Sequence, residues 1–241
     1  MHTILLLFLL CTVGAFIMRT TGFGFGIFVM TVLPFLLPSY GEATMLSGLL
    51  AMTLSVVVFI QKRRFITWRR FLPILLTSMV VSAIAIFSLG RFEEHELRRI
   101  LGVTLIVVSI YFAAFSRRIH LPPTLTTQIS MGTLSGLMGG FFSMQGPPVV
   151  LYLIQAEPDK DHYLADIQAF FLMGNIVMAL ARIQAGYCTM AVGQGYLFGI
   201  VGVAIGTAIG TWVFKHIPNR WFRYVVYAYI GISGIIILCT A

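Results

Sequence analysis

Ten apolar runs, separated by short polar stretches, make up almost the whole chain. Most of them approach twenty residues, the length that an α-helix needs to cross a bilayer, but 26–37 and 147–156 are too short to span. The pattern predicts an all-α polytopic membrane protein with no room for a separate soluble domain. The runs are 3–19, 26–37, 42–61, 71–90, 97–115, 124–142, 147–156, 164–184, 190–214 and 219–239.

Composition agrees with this pattern and narrows the class of protein. Hydrophobic residues make up 59% of the 241 residues, charged residues only 10%, and the mean hydropathy is +0.95. No soluble domain has such a composition. The formal net charge of +8 lies in short loops, where Lys and Arg set orientation in the membrane rather than bind nucleic acid.

Two glycine-rich segments interrupt the apolar pattern. The first is Arg19-Thr20-Thr21-Gly22-Phe23-Gly24-Phe25-Gly26, and the second is Gly139-Gly140-Phe141-Phe142-Ser143-Met144-Gln145-Gly146-Pro147-Pro148. Each glycine costs a helix about 1 kcal/mol relative to alanine, so we expect the helices to break here. A break at membrane depth survives only where protein or a cavity satisfies the freed backbone groups. Two such breaks in corresponding places are typical of a transporter binding site.

The spacing of the breaks indicates an internal repeat. We predict a first transmembrane repeat over 1–115, a cytoplasmic linker over 116–123 and a second transmembrane repeat over 124–241. Each repeat is expected to contain a broken, hairpin-like helical segment followed by three transmembrane helices. The matching glycines are Gly14 with Gly132 and Gly22 with Gly140, each pair 118 residues apart.

The distribution of loop Lys and Arg residues favours inverted repeats. If each broken segment crosses the membrane, the basic residues divide almost evenly between the two sides. If it turns back as a hairpin, eleven of them lie inside and four outside. The positive-inside rule therefore favours inverted topology with both termini outside.

The two breaks also carry a resemblance to a known family. The second motif, G-G-x-x-x-x-x-G-P-P, and the glycine-rich break near the start resemble the TauE/SafE sulfite exporter family, over essentially the whole chain. The first break departs from the family pattern, because G-F-G-F-G stands where many members have adjacent glycines. The resemblance implies export or uptake of small anions, often sulfur-containing, such as sulfite, sulfoacetate or related organosulfonates.

The breaks offer the groups that an oxyanion needs. Two half-helices would begin near Gly26 and Pro147, and a helix N-terminus supplies free N–H groups and about half a positive charge. Inverted repeats would direct both N-termini at one midplane point, where we place the anion. The predicted substrate-binding residues are Arg19, Thr20, Thr21, Gly22, Gly24, Phe25, Gly26, Gly140, Ser143, Met144, Gln145, Gly146 and Pro147.

Arg19 is the sharpest of these candidates, because an arginine deep in a membrane is costly and is a functional hypothesis by default. Pairing with an acid such as Asp166, or snorkelling to the interface, are the alternatives. For Thr20, Thr21 and Ser143 the alternative is a hydroxyl that bonds only the local backbone.

A polar stripe is predicted in the second half alone. Gln168, Asn175 and Arg182 recur every seven residues and so share one face of a helix. They line a transport pathway or hold helices together by hydrogen bonds. Asp166, near the start of the same helix, is a coupling-proton carrier or an ordinary helix N-terminal acid.

A separate stripe of glycines predicts close helix packing rather than a ligand site. It consists of Gly195, Gly199, Gly202, Gly206 and Gly210.

These features favour a secondary transporter of small anions in the plasma (bacterial inner) membrane, and a passive anion channel on the same architecture is the alternative. The sequence contains no HExxH, GxSxG or Walker A motif and no metal-spaced cluster, so we expect neither an enzyme nor a cofactor or metal. The expected partners are a small anionic substrate and the lipid bilayer, with a homo-oligomer possible and no nucleic acid.

Overall fold

The computed structural model describes residues 2–111, 121–157, 159–214 and 219–240, and it contains α-helices but no strand within these ranges. The prediction of an all-α protein is confirmed. The helices are α1 (His2–Thr21), α2 (Phe25–Val29), α3 (Leu33–Leu36), α4 (Tyr40–Lys62), α5 (Trp68–Ser88), α6 (Glu94–Ile110), α7 (Leu125–Phe142), α8 (Gly146–Ala156), α9 (Lys160–Gln184), α10 (Met190–Phe214) and α11 (Asn219–Thr240).

Five spans in the described part of the chain are long and apolar enough to cross a membrane. They fall on α1, α4, α5, α9 and α10, and shorter apolar stretches lie in α8 and α11. This supports the predicted polytopic membrane protein. The spans are Thr3–Thr20, Tyr40–Phe65, Phe71–Arg91, Asp161–Gln184 and Met190–Trp212.

The helices follow the apolar runs closely, but the run 26–37 differs from the prediction. It forms two short helices, α2 and α3, rather than one. Pro34 explains the interruption, because it has no N–H to bond the Met30 carbonyl and its ring clashes with that carbonyl in a continuous helix. Pro147 and Pro148 lie instead in the first turn of α8, where the missing N–H groups cost nothing, and α8 runs unbroken for 11 residues.

The chain forms two compact units, and each draws helices from both predicted repeats. Unit 1 contains α1, α2, α3, the start of α4 as far as Ser47, α6, α10 and α11. Unit 2 contains α4 from Gly48 onward, α5, α7, α8 and α9. Most of the predicted linker 116–123 lies outside the described residues.

In unit 1, α1 packs on α10 through glycines of the predicted stripe. A Cβ on Gly202 would lie 2.6 Å from the Phe8 carbonyl oxygen, and one on Gly206 would collide with the Thr12 carbonyl. The same kind of approach joins α6 to α11, where Gly102 and Gly234 face each other's backbone. The prediction of close packing is confirmed for Gly202 and Gly206.

In unit 2, α7 packs on α5 through another glycine series. From Gly132 to Gly140, every fourth residue of α7 is a glycine on the contact face, so the two backbones approach without intervening side chains. A Cβ on Gly132, Gly136 or Gly140 would lie 2.7 Å from the carbonyl oxygen of Ile74, Ser78 or Ser82, respectively.

Polar side chains fix the start of α9 in unit 2. Asp159 caps the helix by accepting hydrogen bonds from the backbone N–H groups of Asp161 and His162, both at 3.0 Å. The His162 bond lowers the pKa of the exposed Asp159 carboxyl. Lys62, at the end of α4, donates to Asp161 at 2.8 Å, so the two helices are joined by a half-exposed ion pair.

Asp166, one turn further along α9, is fully buried. One of its carboxylate oxygens accepts the backbone N–H of Thr67 at 2.7 Å. This contact links the segment between α4 and α5 to α9.

We expect Gly136→Ala to destabilise the protein by about 1–3 kcal/mol, because the new methyl group would lie 2.7 Å from the Ser78 carbonyl and 2.8 Å from Val81 Cβ. Unfolding of the purified protein in detergent measures the change. Gly193→Ala is the matched control, since nothing lies within 4 Å of its Cβ position and alanine favours an α10 helix by up to about 1 kcal/mol. Equal stability of the two variants would contradict the packing described for α5 and α7.

Candidate functional site

The second break has a strained residue at its centre. α7 ends at Phe142, and Ser143 follows with φ 57° and ψ 30°. Among the described residues it is the only one other than glycine with a positive φ. The left-handed conformation costs an L-residue about 1–2 kcal/mol. Such strain tends to persist where the surrounding structure needs the side chain in that place.

The hydroxyl group of Ser143 is buried, and its hydrogen-bonding capacity is unused. The residue is 7% exposed, and no described residue hydrogen-bonds to its Oγ. A buried hydroxyl without a partner costs about 1–3 kcal/mol. This serine is therefore costly to the fold in both its backbone conformation and its side chain.

Arg182 on α9 reaches the same break. The residue is 1% exposed, and its Nη2 donates to the carbonyl oxygens of Gly139 at 2.9 Å and Gly140 at 3.2 Å. These carbonyls belong to the last turn of α7, where a cation is favoured by the helix dipole. Part of the guanidinium thus stabilises the C-terminus of α7.

Three polar side chains of unit 2 converge on the backbone of Gly48 in α4. A Cβ at Gly48 would lie 3.2 Å from Arg182 Nη1, 3.4 Å from Ser143 Oγ and 3.7 Å from Asn175 Oδ1. We call Gly48, Ser143, Asn175 and Arg182 the polar cluster. The guanidinium and the hydroxyl group are donors of the kind that bind small oxyanions, whereas the Oδ1 atom of Asn175 is an acceptor.

Gln145, which precedes α8, is held by its neighbours in unit 2. Its Nε2 donates to the Phe171 carbonyl at 3.3 Å, and its own carbonyl accepts a short hydrogen bond from Ser135. Its Oε1 is buried against Gly174, where any side chain would collide with it, and has no partner among the described residues. These contacts fix the N-terminus of α8 beside α9.

The other predicted residues of the second break are also buried. Met144 lies between the two helices, and Gly146 and Pro147 form the first turn of α8. Gly140 contacts α5 as well as Arg182. Gln168 is buried on α9, two turns before Asn175.

The first break lies in unit 1 and presents its polar groups differently. Arg19 is exposed in the last turn of α1, and its Nε donates to Thr211 Oγ1 on α10 at 2.9 Å. Thr20 is buried, and its hydroxyl donates to the carbonyls of Phe16 and Ile17. The side chain of Thr21 lies outside the part of the chain that the structure describes.

Glycine is required at two positions of the first break. Gly22 has φ 87° and Gly24 has φ 99°, a conformation that L side chains rarely adopt. Gly26 follows inside α2, and Phe25 is buried against Gly14 of α1. α2 is only five residues long, so its N-terminus has a weaker dipole than that of α8.

Gly48 and Gly174 were not expected as site residues. At both positions, polar atoms of residues remote in sequence lie close to where a Cβ atom would be, so a larger residue would displace them. The one local indication was a glycine in the interior of an otherwise well-formed helix, which usually has a packing or functional reason. Gly174 is the one glycine of α9, and the other glycine of α4, Gly41, lies in the first turn of that helix.

We expect Ser143→Ala to stabilise the anion-free protein, because it removes a buried hydroxyl whose cost is about 1–3 kcal/mol. Ser135→Ala is the matched control, since Ser135 is equally buried but donates to the Gln145 carbonyl, and its loss should destabilise the protein by about 1 kcal/mol. Thermal unfolding in the absence of anions measures both. A Ser143→Ala variant as destabilised as Ser135→Ala would contradict the unused hydroxyl.

Comparison with known proteins gives one match. The family model described as "Sulfite exporter TauE/SafE" matches residues 6–237. Neither a curated protein nor a solved structure matches the chain.

Proposed function

Because the chain belongs to the TauE/SafE sulfite exporter family, we propose that it is a secondary transporter of small, sulfur-containing anions that binds its substrate at the polar cluster. The family and the apolar spans make it an integral membrane protein. Its partners are then the lipid bilayer and a small anion. The sequence carries no nucleotide-binding motif, so an ion gradient, a substrate gradient or a partner protein would drive transport.

The main support for the proposal is the backbone conformation and the buried hydroxyl group of Ser143. Its backbone is strained, and its buried hydroxyl has no partner among the described residues, so the fold alone gives no reason for a serine here. A bound oxyanion would accept the hydroxyl hydrogen and offset that cost. Binding sites are where such strain and unused donors are typically kept.

Charge at the cluster supports an anion rather than a neutral ligand. The Arg182 guanidinium is a permanent cation with N–H donors in a fixed fork; its Nη2 donates to the α7 carbonyls, and its Nη1 lies 3.2 Å from the Cβ position of Gly48. The N-terminus of α8 lies next in the chain and adds partial positive charge. Both effects are strong where water is scarce.

The small size of the cluster supports a compact oxyanion. All three polar atoms lie within 3.7 Å of a single point at Gly48. One sulfonate or sulfite group is of the right size to bridge the two donors among them, Arg182 Nη1 and Ser143 Oγ. We place the sulfite or sulfonate group of the substrate there, whatever organic substituent that group carries.

The pairing of helices supports two homologous halves. If the halves are superposed in sequence order, α1 corresponds to α7 and α10 corresponds to α5. The pair α1–α10 in unit 1 is then equivalent to the pair α7–α5 in unit 2, and both pairs pack through glycines. We propose that the two halves are inverted repeats and that they move against each other, so that the binding site opens alternately to each side of the membrane.

The first break remains a second predicted part of the substrate site, through Arg19, Thr20, Thr21 and its glycines. Their contribution is separable from that of the polar cluster, because Arg19 and Arg182 lie on different helices in different units.

We expect sulfite to raise the thermal stability of the purified protein, by about 2.7 kcal/mol at 100 times its dissociation constant. Sulfite, thiosulfate, sulfate, sulfoacetate, taurine and simple carboxylates form the panel. Ser143→Ala and Arg182→Lys should weaken anion binding about tenfold or more, since hydrogen bonds to charged groups contribute about 1.5–3 kcal/mol. Arg63→Gln, at an exposed arginine, is the control and should not change binding.

The outcomes distinguish the two breaks. Anion stabilisation that is lost in Ser143→Ala and kept in Arg19→Gln assigns the anion to the polar cluster. The reverse result assigns it to the first break. Absence of stabilisation by every anion in a well-folded protein would contradict an anion site of useful affinity.

Gly48→Ala tests the space at the cluster. The added methyl group would lie 3.2 Å from Arg182 Nη1, where we place the anion, so we expect sulfite affinity to fall by about tenfold or more, equivalent to about 1.4 kcal/mol. Gly193→Ala, with open space around it, should bind sulfite as the wild type does. Isothermal titration with sulfite measures both, and unchanged affinity in Gly48→Ala would place the anion elsewhere.

A further inference from the structure

A dense run of positive charge lies between α4 and α5 in unit 2, apart from the anion site proposed above. Five of the nine residues in 62–70 are lysine or arginine, and no acidic residue occurs between Glu42 and Glu93. We call residues 62–70 the basic loop. The flanking candidate membrane spans end at Phe65 and begin again at Phe71, so we expect the loop to lie at the level of the lipid headgroups.

The basic loop is anchored on α9 through its central residues. The buried carboxylate of Asp166 accepts the Thr67 N–H at 2.7 Å, and the Thr67 hydroxyl lies 3.1 Å from His162 Nδ1. The His162 ring also contacts the Phe65 ring edge to face, with 5.6 Å between the ring centroids. The path of the loop backbone is therefore set by contacts with a neighbouring helix.

This anchoring leaves three arginines exposed. Arg63 and Arg64 belong to a short 3₁₀ helix that follows α4, and Arg69 belongs to the first turn of α5. No acid in the described part of the chain forms an ion pair with any of the three. Their guanidinium groups are available to a partner outside the protein.

The acids at the start of α9 are already engaged. Asp161 pairs with Lys62 at 2.8 Å, so the charge of that lysine is compensated within the protein. Asp159 caps α9, and Asp166 is bonded to the loop backbone. The positive charge of the exposed arginines is therefore not compensated by these acids.

Exposed aromatic rings accompany the arginines. Trp68 is 43% exposed and stacks on Phe71 with 5.5 Å between the ring centroids, and Phe65 is 38% exposed. Tryptophan is enriched at the membrane–water interface, because its ring is apolar while its N–H can reach water. An exposed tryptophan next to Arg69 is expected to hold the arginines at the depth of the lipid phosphates.

We propose that the basic loop binds the phosphate group of an anionic phospholipid. Orientation in the membrane needs only positive charge, whereas the planar guanidinium suits two oxygens of one phosphate. The anchoring on α9 adds a fixed arrangement of donors, which orientation alone does not require. The inference needs the protein to be in a bilayer and does not rest on the proposed transport function.

The experiment uses the purified full chain in an uncharged detergent. The protein is titrated with phosphatidylglycerol and, separately, with phosphatidylcholine, which has no net charge. The midpoint of thermal unfolding reports binding, because a ligand of the folded state raises it. Arg64→Gln/Arg69→Gln is compared with Arg91→Gln/Arg99→Gln, a matched control that removes two exposed arginines elsewhere and changes the net charge equally.

We expect phosphatidylglycerol to stabilise the wild type and the control more than phosphatidylcholine does. Arg64→Gln/Arg69→Gln should weaken phosphatidylglycerol binding about thirtyfold, equivalent to about 2 kcal/mol for two basic residues at an anionic surface. Equal weakening in both double variants would overturn the proposal, because net charge alone would then explain binding. Equal stabilisation of the wild type by the two lipids, or by free glycerol phosphate, would also overturn it.

A further variant separates a fixed site from charge alone. Asp166→Ala removes the acceptor of the Thr67 N–H and makes the protein more positive. Charge alone predicts phosphatidylglycerol binding as tight as in the wild type or tighter, whereas loss of the anchored loop predicts binding that is at least several-fold weaker. Binding as tight as in the wild type would overturn the fixed site.

Tryptophan fluorescence measures this variant without relying on its stability. In a Trp212→Phe/Trp221→Phe background, Trp68 is the one remaining tryptophan of the chain. Quenching by brominated phosphatidylglycerol then reports lipid at the basic loop, and we expect Asp166→Ala to need more lipid for the same quenching. The arginine variants change exposed side chains, so they keep the test decisive if Asp166→Ala folds poorly.

Discussion

Backbone polar groups cannot be left unpaired at membrane depth, and the architecture of this chain depends on that constraint. Wherever a helix stops within the membrane, its last carbonyls and the next first N–H groups need partners supplied by protein or ligand. At the second break Arg182 donates to the last turn of α7, and Gln145 is fixed by Ser135 and Phe171. The same requirement that holds the fold together therefore gathers polar groups at one point.

Much of the fold was predictable because its physical cause is local. Apolar runs of spanning length predicted the helices, alternating glycines located the first break, and the Gly139-Gly140 pair with Gly146-Pro147-Pro148 located the second. The failure over 26–37 is also local: Pro34 interrupts the run, while Pro147 and Pro148 start a helix. The family could likewise be recognised from the second motif, since that motif carries the prolines and glycines that the break requires.

The polar cluster was predictable only in part. Ser143, Asn175 and Arg182 were singled out because polar residues stand out in an apolar chain. Gly48 was not, because its importance comes from neighbours distant in sequence. A missing Cβ matters only when Arg182 and Ser143 lie opposite it. The division into two units that mix the predicted halves is likewise a property of packing that no local pattern encodes.

The glycine contacts of α1 with α10 and of α5 with α7 have a mechanical consequence. Where a carbonyl oxygen occupies the place of a missing methyl group, the two helices cannot rotate about their axes or slide without steric collision. Each helix pair is therefore expected to move as one rigid unit, and a lipid chain cannot enter between its two helices. Any rearrangement must therefore bend the chain at other places, and of the described residues with a left-handed backbone, Gly22, Gly24 and Ser143 lie at the two breaks, where we expect the chain to bend.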